Sequence, residues 1–183
     1  MKIAAILFAA VLMPLGAQEI KMPASLDKLA AKADETVDVT LDGSLLKLAG
    51  KFFSGKGDDE VTTRKILSGL DSITVRSYEF SSEGQYDPAD LDAVRAQVKV
   101  PQWSRIVGVK SKKDGETVDV YFKDGGNGNL GGILVLCASP TELTIVNVAG
   151  TIDPSQLASL GGQFGIPKLD IEVGSIGWRR EAK

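Results

Sequence analysis

Apolar residues along this chain recur at helical intervals in its first half and alternate like strands in its second. Leu26, Leu29, Ala30 and Ala33 share one helical stripe, with Ser25 placed as an N-cap, which predicts a helix over residues 25–33. Val37, Val39 and Leu41 alternate with polar residues and predict a strand over 36–41. Leu45, Leu48, Ala49 and Phe52 return to helical spacing over 44–53. After a polar loop at 54–58, Asp58 or Asp59 can cap a helix that runs to about Leu70, with Thr63, Ile66, Leu67 and Leu70 inward. Residues 72–80 alternate again as a strand. Asp87, Pro88 and Asp90 then mark a helix start: a cap, a proline in the first turn, and an acid where the macrodipole favours it. Leu91, Val94 and Val98 supply the buried stripe of that helix, which Pro101 ends.

From Trp103 onward the pattern is one of consecutive hairpins. Strands are predicted over 104–112, 117–123, 132–138 and 143–148, separated by turn-forming Gly, Asn, Asp and Pro residues. Residues 133–138 are apolar on both faces, so that strand belongs in the middle of its sheet. Asp153 and Pro154 repeat the capped-helix signature ahead of Leu157, Leu160 and Phe164. Helices early and hairpins late predict an α+β fold: a mainly antiparallel sheet with a C-terminal four-strand meander and helices packed on one face.

The N-terminus changes the domain count. Lys2 precedes an unbroken apolar run from Ile3 to Met13, too short to span a bilayer, and residues 14–17 end on Ala17. This predicts a signal peptide over 1–17 and a single α+β domain over 18–183. Cleavage after Ala17 is expected even though Leu15 occupies a position where a smaller residue is usual. No cysteine stands directly after that site, so the expected exported protein is periplasmic or associated with the outer envelope and is not a lipoprotein.

Net charge is −3 and both signs are interspersed. Binding of nucleic acid rests on many cations gathered on one face, so it is not expected as a partner. No later apolar stretch is long enough to be a transmembrane segment in the mature chain. The single cysteine, Cys137, leaves no internal disulfide and reads as a small buried hydrophobe.

Several catalytic patterns match by spacing and fail on context. Residues 50–56 resemble a phosphate-binding loop, but a helix precedes them, Gly57 stands where a hydroxyl belongs, and Asp58, Asp59 and Glu60 would repel phosphate. The glycines 126, 128 and 131 complete a G-x-G-x-x-G pattern followed by a strand instead of a helix, which reads as a hairpin loop. Ser25 with Lys28, and Ser44 with Lys47, match S-x-x-K without the companion motifs of penicillin-interacting enzymes. The chain has no histidine, which removes His-based triads and the commonest general acid–base. Asp38 and Asp42 are the acids without an evident cap or turn role, and they read as the solvent face of the first strand. No catalytic residue, cofactor or metal site is assigned.

Three longer segments carry a resemblance: residues 37–48, 103–122 and 143–157. Together they resemble the bacterial domain-of-unknown-function family 4252 over about residues 26–170. The resemblance implies an envelope protein without an assigned activity and supplies no catalytic residues to carry over. The leading expectation is a non-catalytic protein-binding or sensing domain with an unknown envelope protein as partner. Trp178, Arg179 and Arg180 are the candidate partner contact, since an aromatic beside arginines suits an interface. The alternatives are a small-ligand or lipid carrier with an apolar pocket and, more weakly, a carboxylate-dependent hydrolase.

Overall fold

The computed structural model describes residues 20–52 and 57–155. The expected signal peptide, the contact residues Trp178, Arg179 and Arg180, and the helix predicted from Asp153 to Phe164 beyond its first residues lie outside them.

Six antiparallel strands form one sheet. The chain runs α1 (Ala24–Ala30), β1 (Glu35–Asp42), α2 (Gly43–Phe52), α3 (Asp58–Gly69) and β2 (Leu70–Glu79). A 3-10 turn, Pro88–Leu91, leads into the short α4 (Asp92–Arg95), and β3 (Trp103–Lys110), β4 (Thr117–Asp124), β5 (Leu130–Ala138) and β6 (Glu142–Ile152) follow. The spatial order is β1-β2-β6-β5-β4-β3. The last four strands are the expected meander, and β5 lies inside the sheet beside β6, as its two apolar faces require. The segment from β2 to β3 crosses to the far edge of the sheet and carries α4 with it.

The helices divide between the two faces of the sheet instead of gathering on one. Alternate residues of β5 and β6, namely Leu134, Leu136, Leu143 and Ile145, are at most 1% exposed and meet Leu26 and Leu29 of α1 and Leu91 and Val94 around α4. Each fully buried Leu, Ile or Val contributes about 1.5–3 kcal/mol. The opposite face carries a smaller cluster of Leu46 from α2, Leu70 and Ile152, backed by Leu41, Ile73, Ile133 and Val148.

Local chemistry explains several boundaries. Asp87 is the expected cap, and with Asp90 it closes a capping box: the Asp87 side chain accepts from the Ala89 N–H, and the Asp90 side chain accepts from the Asp87 N–H. The start of α1 differs from expectation. Pro23 occupies its N-cap and no side-chain cap bond forms, so Ser25 sits inside the first turn. Gly57, not an aspartate, is the N-cap residue of α3. That helix stops at Gly69, where a Cβ would collide with the Thr151 carbonyl, and Leu70 already opens β2. The largest difference is in α2, where the helical stripe read from sequence is not the buried face. Leu46 is fully buried and Gly50 is buried, whereas Leu45, Leu48 and Phe52 are exposed. The helix starts directly after β1, with Asp42 accepting from the Ser44 and Leu45 N–H groups, so this junction fixes its rotation.

Candidate functional site

The sheet presents two very different faces, and the register of the strands explains why. On the helix-covered face of α1 and α4, one cross-strand row reads Asp38, Arg76, Ile145, Leu136, Asp119 and Gly108. Its centre is sealed: Ile145 and Leu136 lie under the helices, and Asp119 is 5% exposed. The Arg95 guanidinium donates to Asp119 Oδ2 through Nε at 3.2 Å, while Arg105 donates to Oδ1 from β3. This buried carboxylate ties α4 to the sheet. A Cβ at Gly108 would meet the Arg105 guanidinium, so glycine clears its path.

The residues one position along form the opposite face. Their central row is valine on all six strands: Val39, Val75, Val146, Val135, Val120 and Val107. The next row reads Val37, Ser77, Thr144, Cys137, Val118 and Val109. Not one of these twelve side chains is charged, and each is half-buried or exposed. β-Branched residues fit a pleated surface, and valine against valine across strands stabilises the sheet without another layer. The row on the other side, Leu41, Ile73, Val148 and Ile133, is where α2 and α3 pack. The two rows beyond it are uncovered by any described element.

Strand spacing sets the size of this field. Five gaps of about 4.8 Å make it about 24 Å long, and two rows make it roughly 13 Å wide, or roughly 300 Å². That equals the size at which apolar patches on soluble proteins are often functional. Cys137 lies within it, half-buried and free. Burial pushes its thiol up, with Glu142 and Asp119 adding to the shift. It is less deeply buried than the sequence implies.

The remaining sequence motifs resolve into structural roles. Asp38 pairs with Arg76, and Asp42 caps α2, so both of these acids have partners while remaining exposed. The glycine-rich segment is the β4–β5 hairpin, as expected. Gly126, Asn127 and Gly128 have positive φ, and Asp124 Oδ1 accepts from the Gly126 N–H. Among the described residues no group of three His, Cys, Asp or Glu side chains is arranged to hold a metal ion, and no helix is long and apolar enough to cross a membrane. Two features escaped the sequence reading: Asp119, which in Thr-Val-Asp-Val-Tyr reads as an ordinary solvent position, and the valine field, whose six members come from six strands.

The fold and site thus define an α+β domain with one closed sheet face and one that the described elements leave largely uncovered. The chain belongs to the DUF4252 family, a domain of unknown function, whose model matches residues 30–160. The match begins where α1 ends and takes in every described strand. No curated protein and no solved structure matches the chain.

Proposed function

We propose that this protein is an exported, non-catalytic binding domain of the bacterial envelope, and that the valine face is where it binds. The observation that carries the reading is the uncharged field of two rows on six strands. Its occupant is one amphipathic helix of a partner protein. A stable association between two copies of a chain buries about 800 Å² on each, well above what this field offers. A helix of about 16 residues is about 24 Å long and 10–12 Å across, which matches the field in both dimensions. Helix on sheet is also how the other face is already closed.

The non-catalytic part is supported by the lack of histidine and by the work its acids already do in caps, turns and ion pairs. Export is supported by the apolar run at residues 3–13 behind Lys2.

Photo-crosslinking in cells tests the docking face, with a benzophenone amino acid at Val120 and a control at Lys110 on the opposite face. The expected result is a crosslink from position 120, and not from 110, to an apolar-striped helical segment of another envelope protein, lost in Val135→Asp. Crosslinks confined to residues 156–183 of the same chain, to a second copy, or to nothing would overturn it. Fractionation of the same cells tests export: an uncleaved, cytoplasmic chain would sink that part.

A further inference from the structure

A second site lies on the closed face of the sheet, at the end that α1 and α4 do not reach. The strand register there places Asp42, Ser72, Ala149, Gly132, Lys123 and Trp103 in one row. Its middle is occupied by serine, alanine and glycine, so the sheet has no large side chains at that point. The result is a cavity of about 290 Å³. Asp71 reaches it from a β-bulge in β2, and Gly131 from a register shift in β5. Bulges of this kind re-aim side chains beside binding sites. Gly150 makes the first one feasible: its φ is 141°, and a Cβ there would collide with the backbone of Gly69, Leu70 and Asp71.

One wall of the cavity holds a buried polar side chain. Asn147 is 2% exposed and lines the cavity. An amide offers one acceptor and two donors, which is the complement of a peptide group.

The ends of the cavity carry opposite charge. Asp71 and Asp42 stand at the β1–β2 end, and the bonds to α2 engage only Oδ1 of Asp42. At the other end Lys123 is held with Nζ 5.9 Å from the centre of the Trp103 ring. Asp71 and Lys123 are on strands three places apart in the sheet, about 14 Å at the backbone, and their side chains narrow that span from both ends. An extended peptide advances about 3.3–3.6 Å per residue, so two or three residues bridge it. A single amino acid is too short. The volume sits at the lower limit of small-molecule pockets, which excludes a long ligand.

We infer that this cavity binds a di- or tripeptide with free termini: the ammonium at Asp71 and Asp42, the carboxylate at Lys123, and a backbone peptide group on Asn147. The site is independent of the valine face, so either can fail without the other.

Calorimetry on the full-length protein with trialanine, N-acetyl-trialanine and trialanine amide tests the assignment. Trialanine binds, and blocking either terminus weakens it at least about 10-fold, the scale of one lost charge-assisted hydrogen bond. Lys123→Gln, a change at a half-buried position outside the apolar core, removes the preference for trialanine over its amide; Asp71→Asn does the same for the acetylated peptide. Asn147→Ala weakens all three peptides. No binding of trialanine, equal affinity for blocked and free peptides, or preferences unchanged in Lys123→Gln and Asp71→Asn would each overturn the proposal.

Discussion

Ile145 and Val146 are adjacent on β6, and they face opposite sides of the sheet. Ile145 is fully buried beneath the α1 and α4 side of the core, among Leu134, Leu136 and Leu143. Val146 is half-buried in the middle of a row of valines with no described helix above it. The residue types differ accordingly. The closed face uses large side chains, including Tyr78, Phe80 and Tyr86, and can bury a carboxylate because two guanidiniums answer it. The two open rows use mostly small β-branched side chains and no charge, with Glu35, Glu79 and Glu142 in the row beyond them. A layer above lets a sheet bury bulky and even ionised groups, while a face without one keeps flat side chains that pack against their own neighbours.

The sharpest way to break this comparison is to truncate both neighbours. Ile145→Ala should cost about 2–5 kcal/mol, because it leaves a cavity that the helices cannot fill. Val146→Ala should cost under about 1.5 kcal/mol, because its methyl groups are only partly removed from water. Urea melts of the two variants measure both, and equal losses would mean the open face is covered in solution.

A smaller effect is expected from the charges. Asp119→Asn should cost about 1–3 kcal/mol, since Arg95 and Arg105 lose their anion but keep some access to water. Asp38→Asn removes an exposed partner of Arg76 on β1 and should cost less than about 1 kcal/mol. Thermal unfolding of both variants tests the ranking, and a reversed order would contradict the clamp at Asp119.

The smallest perturbation leaves stability alone and reads the open face through Cys137. Its thiol is pushed up, first by burial and then by Glu142 and Asp119, so less thiolate is present at pH 8 than in an exposed cysteine. Alkylation by iodoacetamide should therefore be slower in the folded protein than in urea, and should speed up as pH rises. A bound helix on the valine face should slow it further. Equal rates folded and unfolded would show that the thiol is neither buried nor shifted.

Much of this architecture was legible in the chain. The strands from β1 to β6 follow alternation and turn chemistry, which act within a few residues of each other. The cap at Asp87, with Pro88 and Asp90 behind it, was legible for the same reason. The buried side of α2 was not, because two stripes of that helix are apolar and only its junction with β1 selects Leu46 over Leu45 and Leu48. Nor was the division of helices between two faces, which depends on where each crossover lands. Both candidate sites share that limit. The valine field takes one residue from each of six strands, and the cavity lies between acids and a lysine up to 81 residues apart in sequence.

The sequence by itself determined the elements, the α+β class and the absence of histidine chemistry, since these rest on local periodicity and residue type. Tertiary structure alone decided which valines align, which face the described elements leave uncovered, and that Asn147 is buried beside a row of small residues. Strand register is the physical reason. A shift of one residue in any strand would exchange its two faces, and nothing within a single strand records what its neighbours present.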